Sequence, residues 1–171
     1  MNIYIDFDGV VLDTIPVLYT MLERDNIDKT DFESARKYFA KLDWEKIVRE
    51  TPQINDSIEC IKKLMEYDCF NVAILTHVNS LEEAIAKVNY LEELIPDVTK
   101  IPVPKMISKT KMVHTKDSIL VDDHSGNLEE WESEGGIPVK FSQKKDKTYP
   151  YPTIDKLDKL IDMFLPEIMR S

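Results

Sequence analysis

The sequence holds only two cysteines, Cys60 and Cys69, in 171 residues. They match neither CxxC spacing nor a zinc-ligand set, and one pair is too few for a disulfide framework. Both are expected as buried free thiols. Basic charge is also scarce: 22 Lys and Arg stand against 32 Asp and Glu, a formal net charge of −10. Such a chain repels a nucleic-acid polymer. A small phosphorylated metabolite stays compatible, provided a metal ion, a lysine and helix N-termini supply a local positive field. No run of 18 apolar residues occurs, and an acid already stands at Asp6. Neither a membrane span nor a secretory leader is expected, so the expected location is cytoplasmic. Internal repeats and low-complexity runs are missing too.

What is present is a globular composition, 43% hydrophobic and 32% charged. At roughly 150 residues per domain, the length suits one domain with a modest insertion. Four short apolar runs read as buried strands: Ile3 to Ile5, Val72 to Leu75, Ile119 to Val121 and Ile137 to Phe141, with Val98 to Val103 as a fifth. Between them the period becomes helical. Ile58, Ile61, Leu64 and Met65 mark one helix; Leu81, Ala84, Ile85, Val88 and Leu91 mark another, which Ser80-Leu81-Glu82-Glu83 opens as a capping box.

Strands alternating with helices imply right-handed crossovers and an α/β fold, a mainly parallel sheet covered on both faces. Residues 14–55 break the alternation, because they read as helices throughout, with Tyr19, Phe32, Tyr38, Phe39 and Trp44 at the apolar positions. This divides the chain into an α/β core, 1–13 and 56–171, and a helical cap, 14–55, inserted after the first strand. Ile154 to Met169 reads as a closing amphipathic helix.

Open parallel sheets bind ligands at the carboxyl ends of their strands, and here those ends are acidic. The first strand runs into Asp6-Phe7-Asp8-Gly9, the second into Thr76-His77, the fourth into Asp122-Asp123; Lys105, Lys109 and Lys111 precede the fourth. Acids gathered this way repel one another unless a divalent cation sits among them, and oxygen-only ligands favour Mg²⁺. A calcium loop does not fit, since Val10, Val11 and Leu12 stand where further oxygens are needed. His77, His114 and His124 share no metal-ligand spacing. Carboxylates and lysines together suit phosphoryl transfer, with one acid as nucleophile and a second as proton donor and acceptor.

The order Asp-x-Asp-Gly, apolar run with Thr, Lys, apolar run with Asp-Asp resembles the haloacid dehalogenase (HAD) superfamily of phosphohydrolases over residues 3 to about 141. Within it, Ile5-Asp6-Phe7-Asp8-Gly9-Val10 and Ile119-Leu120-Val121-Asp122-Asp123 look like the 5′-nucleotidase type, which includes deoxyribonucleotidases. The resemblance implies Asp6 as nucleophile and Asp8 as general acid/base, with the Asp8 backbone carbonyl lent to Mg²⁺. It implies Thr76 as a phosphate binder, Asp123 as a metal ligand beside Asp6 and Asp8, and Asp122 reaching the metal through water. Lys109 is the favoured phosphate-binding lysine, opening a short helix whose Met112 and Val113 pack inward; Lys111 is the alternative. Asn127 either orients the acidic pair or belongs to a helix-start turn.

The implied activity is a Mg²⁺-dependent phosphatase acting on a small phosphate monoester through an aspartyl phosphate, with (deoxy)nucleoside monophosphates among the candidates. A receiver-like phospho-acceptor domain is the rival, but it carries its acidic pair after the first strand, whereas here the pair follows the Thr and Lys. An inactive HAD-like binding protein is a third reading, although every motif residue is present. Trp44, Phe39 and Tyr38 either form the cap's own core or stack on a nucleobase.

Overall fold

The computed structural model describes residues 1–144 and 147–168. Among them, six strands form one sheet: β1 (Asn2–Ile5), β2 (Asn71–Val78), β3 (Thr99–Pro104), β4 (Ile119–Asp122), β5 (Ile137–Phe141) and β6 (Thr153–Ile154). They lie in the order β3-β2-β1-β4-β5-β6, and every pairing is parallel. The chain winds outward from β1 to β3, then returns to add β4 on the other side. The order therefore reverses between β1 and β4, which makes their carboxyl ends the crevice of the sheet.

Among the described residues, seven α-helices accompany the strands: α1 (Thr14–Arg24), α2 (Phe32–Phe39), α3 (Trp44–Glu50), α4 (Ser57–Met65), α5 (Leu81–Leu94), α6 (Ser125–Ser133) and α7 (Lys159–Ile168). Alternate residues of β1, β2 and β4 enter different apolar clusters, as the pleat requires. Ile3, Ile5, Val72, Ile74, Ile119 and Val121 join residues of α3, α4, α5 and α7 in the larger one. Leu75, Val103 and Leu120 join Leu128 and Trp131 of α6 in the smaller. Trp131 is fully buried and donates its Nε1–H to the Ser118 carbonyl.

Residues 14–50 supply three helices, capped by side chains at Asp31 and Asp43. Trp44, Ile47 and Val48 of α3 share the larger cluster with the sheet. Two aromatics expected in the cap's apolar stripe lie outside any core: Phe32 is 84% exposed and Tyr19 half-exposed.

The tail also differs from the expected single helix. Thr153 and Ile154 pair with Lys140 and Phe141 as β6, and the helix begins only at Lys159. Met169 lies outside the described residues. A two-residue strand is too short to show alternation, so nothing in the pattern marks it.

Candidate active site

The chain leaves β1 through a tight turn. The Phe7 carbonyl accepts from the amides of Val10, Val11 and Leu12, and the Gly9 amide donates to the Leu12 carbonyl. Val10, Val11 and Leu12 are fully buried, so the turn is pinned by its own apolar residues and presents Asp6 and Asp8. Gly9 sits at φ +73°, and a Cβ there would lie 2.6 Å from Asp123 Oδ2. The backbone angle and the neighbouring carboxylate thus both demand glycine. Gly9→Ala is expected to cost about 1–2 kcal/mol from the left-handed backbone and to weaken cation binding by displacing Asp123. Thermal melting and Mg²⁺ calorimetry measure the two effects separately.

Three carboxylates converge on the β1/β4 crevice: Asp6, Asp122 and Asp123 each bring an oxygen within 4.8 Å of the other two. Lys109, fully enclosed in a short 3₁₀ turn at Lys109–Lys111, bridges Asp6 Oδ1 at 2.8 Å and Asp122 Oδ2 at 2.7 Å. Burial works against its charge, yet Asp122 and Asp6 hold it protonated above the usual lysine range. Asp122 is saturated with donors. Its Oδ1 accepts from the His124 amide, and its Oδ2 accepts from Asn127 Nδ2 as well as Lys109. Asn127 therefore reaches one acid of the pair, while Asp122 stands inside the oxygen cluster itself.

Lys111 points elsewhere, paired at 2.9 Å with Glu134 and 65% exposed. Met112, expected to pack inward beside it, is exposed, whereas Val113 packs on the smaller cluster. Lys111→Ala should change stability by no more than about 0.5 kcal/mol, in contrast to Lys109→Ala, which leaves Asp6 and Asp122 without their buried cation; melting checks both.

The Asp8 carboxylate is not one of the three clustered acids, though it stands close enough to repel Asp6 and Asp123. Thr14 Oγ1 donates to its Oδ1 at 2.8 Å, and Lys87 Nζ donates to its Oδ2 at 2.5 Å. Lys87 is completely buried on α5, where it also pairs with Glu83 Oε1 at 2.7 Å and reaches Thr76 Oγ1 at 3.3 Å. Thr76 thus lies on the Asp8 side of the site, its hydroxyl donating to the His77 carbonyl. His77, directed at the Ile107 carbonyl, has its pKa pushed down to about 4 by burial and then by Lys109 and Lys105.

The sequence placed Glu83 in the capping box, which Ser80 Oγ forms by accepting from the Glu83 amide, but missed Lys87 and its pairing with Glu83 because Leu81 and Ile85 were set on the inner face of α5. Leu81 is 70% and Ile85 50% exposed; the buried positions are Glu83, Ala86, Lys87 and Leu91. Positions 83, 86, 87, 90, 91 and 94 form an unbroken helical stripe, and two opposite charges at i and i+4 within it were the available signal.

Electrostatics shows what the cluster lacks. Burial, then repulsion from Asp122 and Asp8, lifts the Asp6 carboxyl to about 6 although Lys109 pulls it down. Burial, then Asp6 and Asp122, lifts Asp123 to about 8. A third buried lysine, Lys140 of β5, donates to the Asp123 carbonyl and to Ser125 Oγ. With every acid ionised, as a bound cation would favour, Asp6, Asp8, Glu83, Asp122 and Asp123 set five carboxylates against the ammonium groups of Lys87, Lys109 and Lys140, a formal surplus of two negative charges. An all-oxygen donor set with that surplus fits a hard divalent cation such as Mg²⁺.

Trp44 does not line this site as a stacking platform. It is 2% exposed, its Nε1–H is bound to the Phe39 carbonyl at 2.8 Å, and its ring covers Lys87 at 5.0 Å. Tyr38 directs its hydroxyl to Asp25 at 2.6 Å, and Phe39 packs against the larger core. The aromatics of 14–55 that are buried serve packing.

No protein-family model matches this sequence, and no curated protein matches it. Solved structures do. A hydrolase from Pseudomonas syringae aligns at TM-score 0.66 and 11% identity over 98% of this chain and 99% of its own. The HAD-hydrolase YfnB from Bacillus subtilis, determined bound to magnesium, aligns at 0.62 and 13% over 96% and 98%. A HAD phosphatase from Thermococcus onnurineus aligns at 0.59 and 15% over 95% and 96%. With its six parallel strands and flanking helices, the chain has the fold of HAD-superfamily hydrolases.

Proposed function

We propose that the protein is a Mg²⁺-dependent phosphatase that cleaves a small phosphate monoester through an aspartyl phosphate. One observation carries the reading: Lys109 ties Asp6 to Asp122 within a three-acid cluster, while Thr14 and Lys87 hold the neighbouring Asp8 outside it. The two acids of Asp6-Phe7-Asp8 are thereby given different tasks. Asp6 attacks phosphorus with a carboxylate oxygen, forming the O–P bond as the bond to the leaving oxygen breaks. Asp8 gives that oxygen its proton, then takes a proton from the water that attacks the phospho-aspartate, releasing phosphate and restoring Asp6.

Lys109 keeps the attacking carboxylate in place, and Thr76, at the end of β2, is the hydroxyl to serve the phosphoryl oxygens. Asp6 and Asp123, with the Asp8 carbonyl, are the groups to hold Mg²⁺, which when bound supplies positive charge for the phosphoryl oxygens. Residues 14–55 act as a cap over this end of the sheet. The test is a panel of phosphate monoesters, nucleoside monophosphates included, assayed with Mg²⁺ and with EDTA. Metal-dependent release of phosphate is expected; a protein inert toward every ester in the presence of Mg²⁺ overturns the reading.

A further inference from the structure

A buried lysine needs a reason. Removing an ammonium and a carboxylate from water costs several kcal/mol each, and an apolar pair of equal volume packs as well or better. Lys87 and Glu83 are both buried at i and i+4 on α5. The pair is tightly built in. Ser80 Oγ caps the helix by accepting from the Glu83 amide, the Asn79 amide and side chain hold Glu83 Oε2, and Oε1 takes Lys87. Around the ammonium stand the Phe7 and Trp44 rings, 5.4 and 5.0 Å from Nζ to their centroids. What such a pair does, and an apolar pair cannot, is grip another carboxylate. Besides the His77 carbonyl at 3.1 Å and Thr76 Oγ1, the ammonium donates to Asp8 Oδ2, while the Thr14 hydroxyl donates to Oδ1.

We propose that Lys87, backed by Glu83, is a positioning residue that clamps the Asp8 carboxylate outside the Asp6–Asp122–Asp123 oxygen cluster and so keeps it for the leaving-group oxygen. The proposal rests on the phosphatase reading, in which Asp8 gives a proton to the leaving oxygen and takes one from the attacking water. A divided pair of acids, one tied by Lys109 and one by Lys87, follows from it.

The decisive variant combines Glu83→Gln with Lys87→Met, which removes the clamp without changing the net charge of the site. Esters with leaving groups of increasing basicity are compared. For an alkyl phosphate, whose leaving oxygen needs its proton, kcat/KM should fall about 100-fold; for p-nitrophenyl phosphate the fall should be below about tenfold. Mg²⁺ affinity by calorimetry should stay within about twofold, because the Asp8 side chain is not in the oxygen cluster. Lys87→Arg with Glu83 retained should recover part of the lost alkyl-ester activity. Should the double variant fail to fold, Thr14→Val loosens the other arm of the clamp and should steepen the same leaving-group dependence. A uniform loss across all esters, or an unchanged dependence, overturns the clamp while leaving the phosphatase reading intact. A wild-type protein inert to all esters overturns both.

Discussion

Asp6→Asn is expected to abolish turnover, by about 10⁴-fold or more, in a protein that still folds. Asparagine keeps the size of the side chain and an oxygen that accepts from Lys109, and Lys109 retains its 2.7 Å bond to Asp122. The core beneath is untouched, because Ile5 and Phe7 on either side remain fully buried. What is lost is the anionic oxygen that attacks phosphorus in the proposed mechanism, and about 10⁴-fold corresponds to roughly 5.5 kcal/mol of barrier. Circular dichroism alongside the ester panel separates chemistry from folding. A folded variant within about tenfold of wild-type rate would remove Asp6 from the mechanism.

Asp122→Ala should be the costliest change at the site for stability, at about 3–5 kcal/mol. Asp122 is fully buried and accepts from Lys109, Asn127 and the His124 amide. Its removal leaves Lys109 enclosed with Asp6 alone and strands two further donors. For a chain of this size each kcal/mol moves Tm by about 2–4 °C, so melting should fall by roughly 6–20 °C. Asp123→Ala should behave in the opposite way. Its carboxyl is crowded by burial and by Asp6 and Asp122, so its loss relieves repulsion; the fold persists while activity no longer responds to Mg²⁺. Equal melting temperatures for the two variants would contradict this division between a buttress and a ligand.

Much of this was legible in the chain because strand ends and chemistry coincide. Ile3 to Ile5, Val72 to Leu75, Ile119 to Val121 and Ile137 to Phe141 are all strands, Val98 to Val103 overlaps β3, and the polar residues that follow meet in one crevice. Lys109 and Lys111 were separable only in three dimensions, since a two-residue offset on a 3₁₀ turn sends one inward and the other to Glu134. The α5 misreading has a physical cause. Periodicity arguments assume that buried means apolar, and this helix buries an ion pair while leaving Leu81 and Ile85 outside. Functional sites are where that assumption fails.

The central place of β1 has a consequence for biosynthesis. Ile3, Tyr4 and Ile5 pair on one side with Val72, Ala73 and Ile74, and on the other with Ile119, Leu120 and Val121, over a hundred residues further along. At ordinary translation rates that interval lasts on the order of ten seconds. Until β4 leaves the ribosome, a nascent chain keeps one edge of β1 open, the kind of edge that recruits other chains. Asp6 and Asp8 are made early but stay without Lys109 and the acidic pair, so a stalled or truncated product would carry the proposed nucleophile and no means of using it.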